Sequence, residues 1–335
     1  MARPFPVQHK QFDALPVRMV TVGRAEEQMA VHVAGTLGPG RMPLICVAGY
    51  TRNMSDFADF VRLGRQLMAE AVPVVLVDLK GRGRSTDRRR IEEYSSLTDA
   101  ADLFDICRAL AIERAMFLGQ GHGGQVMMAL AARKPSLMAG TVLIDAGPVS
   151  DSRSLVRLRV TLNELTGVHG EASLRPMLRR MIAPDYPGVP ETALDGLAMR
   201  THFVDARGRL QPLFDPRLIK LLEPFDLDDE LVAQWPLFDA LMAAPLMMMR
   251  TQLTHQLRRE TYEEMMRRRR DAEAYIIEQQ GAPALLDNID DVQPIVDFVR
   301  VVLGKELRPY AETDDDAGEA EATLRAGVDD KVAAT

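Results

Sequence analysis

Cysteine is nearly absent. The 335 residues hold two, Cys46 and Cys107, so no disulfide framework supports the fold. No apolar run approaches the roughly 18 residues that a membrane helix needs, so no membrane association is expected. The opening stretch MARPFPVQHKQF has no secretory h-region, and a cytoplasmic location is therefore expected. A basic excess is missing too. Lys and Arg number 41 against 48 Asp and Glu, a formal charge of −7, which argues against a general nucleic-acid binder. There is no internal repeat. What remains is ordinary for a globular chain, with 47% hydrophobic and 27% charged residues. The length suits one large domain or two small ones.

The negative charge is concentrated at one end. Residues 311–335 contain eight acids and two bases, which leaves about −1 for the other 310 residues. This stretch has no aromatic side chain and few large apolar ones, so burial cannot offset its ordering entropy. Residues 306–335 are expected to form a disordered acidic tail. The remainder divides into a core of residues 1–149 and 236–305 and an inserted segment, 150–235.

The core alternates. Residues 17–22 and 29–37 read as strands joined by a turn, and PLICVAG (43–49) as a buried strand. A second buried strand follows at 73–78, and further strands at 115–119, 141–145, 244–250 and 274–279. Helical spacing fills the gaps, with Ser55 and Thr98 expected as N-caps. Continuous apolar strands between helices indicate a three-layer α/β architecture with a mostly parallel sheet. The proline-cut insertion carries a stripe at Leu155, Leu158, Leu162 and Leu165 and reads as helical, without further sheet. Met247, Met248 and Met249 are expected in the core, and the Arg267–Arg270 run as a solvated helix end.

Four loops carry a resemblance. Val47-Ala48-Gly49-Tyr50-Thr51-Arg52-Asn53 follows one strand and Asp78-Leu79-Lys80-Gly81-Arg82-Gly83-Arg84-Ser85 the next. Leu118-Gly119-Gln120-Gly121-His122-Gly123-Gly124 is a strand-to-helix turn, and Asp145-Ala146-Gly147-Pro148 comes later. In this order the sequence resembles the α/β-hydrolase superfamily over about residues 15–305. It looks most like the branch of small-molecule esterases, haloperoxidases and ring-cleavage-product hydrolases. The resemblance implies that the insertion is a cap and that the third loop is the nucleophile elbow G-x-S-x-G. It also implies an oxyanion-hole-like pocket wall at Gly49, Tyr50, Gly121 and His122.

Where the family carries its nucleophile, this chain has Gly121. The acid position falls on His255, with no Asp or Glu between Arg250 and Glu260, and the histidine position falls on Gly281 or Ala282. No histidine follows His255. A serine hydrolase needs all three groups together, so the expectation is a pseudoenzyme. It would keep its fold to bind a small molecule between core and cap, or to serve as a protein-interaction or regulatory module. The alternative is an enzyme acting on an ester, an amide or a carbon–carbon bond, or by lyase-like proton transfer. It would use relocated residues such as His122, or His255 with Asp145. The same three side chains are a weak metal-site candidate, but neither metal nor cofactor is expected. Asp78, with Arg82 and Ser85, is read as locking its own loop. His32 and His202 are read as structural and both cysteines as inert packing residues. An open space between Tyr50, Gly121, His122 and His255 would favour a ligand over a scaffold.

Overall fold

The computed structural model describes residues 10–24, 26–68, 72–165, 168 and 170–306; the acidic stretch lies outside the described residues apart from Glu306. The chain runs through β1 (Arg18–Thr21), β2 (Gln28–Ala34), β3 (Leu44–Val47), α1 (Ala58–Met68), β4 (Val74–Val77), α2 (Ser96–Ala109), β5 (Ala115–Gln120), α3 (His122–Arg133) and β6 (Met138–Ile144). The insertion holds α4 (Ser152–Glu164), α5 (Glu171–Ile182), α6 (Glu191–Met199), β7 (His202–Val204), β8 (Leu210–Pro212) and α7 (Arg217–Lys220). The core then resumes with α8 (Trp235–Asp239), β9 (Leu246–Thr251), α9 (Arg259–Arg268), β10 (Glu273–Ile277) and α10 (Ile289–Glu306).

Eight strands form one sheet in the order β1-β2-β4-β3-β5-β6-β9-β10. The pairs β1–β2 and β2–β4 are antiparallel and the others parallel. The central strands β3 to β6 are buried along their whole length, as continuous apolar sequence requires of strands covered on both faces. Helices α1 and α10 pack on one face, and α2, α3, α8 and α9 on the other. The methionine triplet shows the strand period: Met247 and Met249 enter the first core cluster and Met248 the second.

Local details depart from the sequence reading. Asn53, not Ser55, caps the turn leading into α1, its side chain accepting from the Ser55 N–H at 3.1 Å. Ser95, not Thr98, caps α2, accepting from the Thr98 N–H at 3.2 Å. The insertion is mostly helical but contains the antiparallel β7–β8 hairpin. Strands of three residues are too short to leave a period in the sequence. The arginine run also divides. Arg267 and Arg268 pair with Glu264 at the surface, whereas Arg269 is buried and donates to the Leu241 and Ala244 carbonyls.

Helix α3 approaches the sheet closely enough to exclude a methyl group. A Cβ on Gly119 would lie 2.5 Å from the Gly124 backbone nitrogen, and one on Gly123 would collide with the Val47 carbonyl oxygen. Gly119→Ala is expected to lower stability by roughly 1–3 kcal/mol, the range for overpacking. Urea unfolding measures this, and an unchanged midpoint would contradict the close approach.

Candidate functional site

The site forms where β3, β5, β6 and β9 end beneath the insertion. Gly121 stands between β5 and α3 with φ 51° and ψ −116°. Glycine adopts this positive φ without the penalty an L side chain incurs. A Cβ here would lie 2.5 Å from the Gln256 Oε1. The glutamine carboxamide thus occupies the volume into which an elbow side chain would project. The first N–H groups of α3 begin at His122 and, as in any helix, lack intrahelical partners.

The candidate acid is fully engaged elsewhere. Asp145, at the end of β6, accepts from the Thr251 N–H at 2.9 Å and the Thr251 hydroxyl at 2.6 Å. These bonds tie the β6 end to the β9 end. Burial pushes its pKa up to about 6, against the lowering effect of the Thr251 bonds. His255 does not pair with it. Its Nε2 faces Asp185 Oδ1 at 3.5 Å, and Asp185 also receives Arg157 through both carboxylate oxygens at 3.0–3.1 Å. The His255–Asp145 dyad considered from the sequence is therefore not assembled in this structure. Gly281 packs against Asp185, and Ala282 lies in the cavity wall without a polar side chain.

His122 turns away from the cavity. Its Nε2 lies 2.9 Å from Asp99 Oδ2, and its ring meets Tyr50 edge-on at 5.6 Å. Asp99 is buried between His122, Arg82 and Arg88. Burial alone would raise its pKa, but Arg82, His122 and Arg88 outweigh it and hold the carboxyl below the usual range. His122, His255 and Asp145 do not converge. Among the described residues no three His, Cys, Asp or Glu side chains could hold a metal ion.

Asp78 does lock its loop, but through backbone donors. It accepts from the Met54 N–H at 2.7 Å and the Arg84 N–H at 2.9 Å. Ser85 Oγ donates to the Asp78 carbonyl, while Arg82 leaves to bond the Tyr50 and Lys80 carbonyls. Cys46 and Cys107 are buried free thiols whose pKa burial pushes upward. His32 donates to or accepts from nothing nearer than the Pro16 carbonyl at 2.7 Å, which fixes its ring as a donor there.

A cavity of about 200 Å³ lies between core and insertion. Tyr50, Gly121, Asp145, His255 and Gln256 line its core side; Leu158, Leu162, Leu178, Met181, Ile182 and Leu197 line the other. Gly49 borders it, whereas His122 does not. His202 is in the wall, and burial lowers its pKa to about 3, so its imidazole is neutral.

This strand order, with an elbow after β5 and an insertion after β6, has counterparts among known proteins. A family model described as the alpha/beta hydrolase fold matches residues 42–164. A crystal structure of an α/β hydrolase from Novosphingobium aromaticivorans superposes with a TM-score of 0.74 at 25% identity, covering 85% of this chain and 98% of that one. The chain has the α/β-hydrolase fold. Curated relatives match more locally. A 2-hydroxy-6-oxononadienedioate/2-hydroxy-6-oxononatrienedioate hydrolase of Cupriavidus pinatubonensis is 27% identical over 49% of this chain and 56% of its own length. An uncharacterized hydrolase of Bacillus subtilis is 28% identical over 38% and 44%. The chain thus spans about half the length of these two relatives. No helix among the described residues is long and apolar enough to cross a membrane.

Sequence reasoning missed Gln256, Gln120 and Asp185. Gln256 had a signal, a polar residue beside His255 in the stretch where the fold's acid is sought. Asp185 had none, because only the packing of the insertion brings it to His255. Asp145 supplies a pH test. Its folded pKa is raised, so the protonated side chain favours folding at low pH, and this stabilisation is lost as pH rises through about 6. The stability difference between wild type and Asp145→Asn is expected to fall by roughly 3 kcal/mol between pH 3.5 and 7. Parallel urea titrations measure it, and a pH-independent difference would rule out a raised pKa.

Proposed function

We propose that this α/β-hydrolase-fold protein binds a small molecule in the cavity between core and cap without hydrolysing it. One observation carries the reading. The elbow keeps its backbone geometry at Gly121 while the space for a nucleophile is taken by the Gln256 carboxamide. Acyl transfer by a serine triad needs a hydroxyl, an imidazole to take its proton, and a carboxylate to orient the imidazole. At the corresponding places stand Gly121, Ala282 or Gly281, and His255. Removal of a single triad member already lowers turnover by several orders of magnitude.

Relocated chemistry finds less support. His122 is held by Asp99 outside the cavity wall, and Asp145 is held by Thr251. The open cavity favours a ligand-binding role over a pure scaffold. On this reading residues 150–235 serve as the cap, closing the cavity over the core formed by 1–149 and 236–305.

Incubation with a fluorophosphonate probe is expected to leave the protein unlabelled, and short-chain p-nitrophenyl esters to turn over at background rate. Gly121→Ser alone is expected to restore neither, since no imidazole stands at Ala282. Stoichiometric labelling of the wild-type chain at any serine would overturn the proposal.

A further inference from the structure

The wall of the cavity holds a histidine whose hydrogen bonding is half complete. His202 opens β7 in the insertion and is 4% exposed. Its Nδ1 lies 3.0 Å from the Thr201 Oγ1, and that hydroxyl donates its only proton to the Ala198 carbonyl at 3.0 Å. The Thr201 oxygen must then accept from the imidazole, which places the ring proton on Nδ1. An edge-on contact with Phe214, 5.5 Å between centroids, steadies the ring. Nε2 is left as a lone-pair acceptor. It has no hydrogen-bond partner among the described residues. Nor is it one of the side-chain atoms sealed off without a partner, so the surface it keeps opens on the cavity that His202 lines.

This atom stays an acceptor at neutral pH. Burial, aided by the nearby Arg52 charge, holds the His202 pKa down to about 3. Arg52 itself lines the cavity and is paired through Nε and Nη2 with Asp56. The wall hydroxyls of Tyr50, Tyr186 and Ser154 supply no proton to Nε2, because they donate to the Leu218, Pro283 and Asp151 carbonyls. A buried acceptor of this kind is satisfied by whatever donor enters the cavity.

We propose that the cavity takes an alcohol whose hydroxyl donates to His202 Nε2 while its aliphatic body packs on Leu158, Leu162, Leu178, Met181, Ile182 and Leu197. An ether of the same shape has no proton to give and leaves the buried acceptor unpaired. A carboxylate has none at neutral pH. An ammonium has one, but brings its charge toward Arg52, which already acts on His202. The cavity, at about 200 Å³, limits the body to a short chain. The inference rests on the ligand-binding reading above and adds the head group to it.

The test pairs calorimetry of the full chain with nitrogen NMR of its isotope-labelled histidines, using n-hexanol, its isomer methyl pentyl ether and hexylammonium chloride at neutral pH. Hexanol is expected to bind about tenfold more tightly than the ether, the size expected for one buried acceptor left unpaired. In the wild type, the His202 Nε2 is expected to resonate as an unprotonated nitrogen and to shift with hexanol but not with the ether or hexylammonium. His202→Phe keeps a ring against Phe214 and is expected to bring hexanol and the ether to the same affinity. A proton on Nε2, an Nε2 shift with hexylammonium, equal binding of hexanol and ether, no binding of hexanol at millimolar concentration, or a preference that survives His202→Phe would each overturn the inference. The NMR readings come from the wild-type chain and decide the question even where the variant does not fold. Labelling by the fluorophosphonate probe would instead overturn the non-hydrolytic reading and leave the His202 preference standing.

Discussion

The first turn of helix α3 meets the sheet through glycines, and the geometry of the cavity follows from that contact. Gly119, Gly123 and Gly124 let the helix start against the backbone of β3 and β5 and against Ala146. Bringing the helix so close forces the chain through a sharp turn at Gly121, where φ is positive. The same approach aims the helix N-terminus, with its unpaired N–H groups, at the space beneath the cap. Any larger residue at these contacts would lift the helix and open the corner. The strand ends at Val47, Gln120 and Asp145 are then already in place around it.

A second constraint fixes the insertion above that corner. Asp215 accepts from the Tyr94 hydroxyl and from Arg217, while its own N–H donates to the Gly81 carbonyl at 2.7 Å. The Gly83 N–H donates to Leu213 at 2.7 Å, and the Tyr50 hydroxyl to Leu218 at 3.1 Å. On the other side, the Asn53 amide donates to Arg200 and the Tyr186 hydroxyl to Pro283. Beneath these ties lies a buried charge chain in which Lys80 meets Glu27 and Asp102, and Arg88 meets Asp102 and Asp99. Removing one partner from such a chain leaves an uncompensated buried charge, a loss of about 3–5 kcal/mol. The loop after β4 therefore supports both core and insertion, and through Arg82 and Arg88 it neutralises Asp99, the partner of His122.

What the sequence disclosed was local. The parallel strands were legible because β3 to β6 are continuous apolar runs, and the elbow because its glycines are spaced for a strand-to-helix turn. Asp78 was legible as a loop-fixing acid, since its partners are supplied by the nearby backbone. Side-chain direction was not. His122 could be placed beside the elbow from its position, but its orientation depends on Asp99, which lies on α2 and points inward only because Arg82 and Arg88 neutralise it. His255 could be placed at the β9 loop, but its partner Asp185 comes from an insertion whose packing has no periodic signature. The β7–β8 hairpin was hidden for the same reason, being shorter than one detectable period.

The glycine at the elbow has an energetic consequence beyond the missing hydroxyl. A side chain held at this backbone conformation typically stores about 1–3 kcal/mol of strain, which persists only where function requires it. Glycine relieves that strain while leaving the turn, the helix approach and the cavity unchanged. The Gln256 carboxamide stands where an elbow side chain would project, its Oε1 2.5 Å from the position of a Cβ on Gly121. Gly281 packs directly on Asp185, where a Cβ would lie 2.7 Å from the Asp185 Cβ. On the ligand-binding reading proposed above, a relaxed elbow and a close contact between insertion and core both serve to hold a ligand in place.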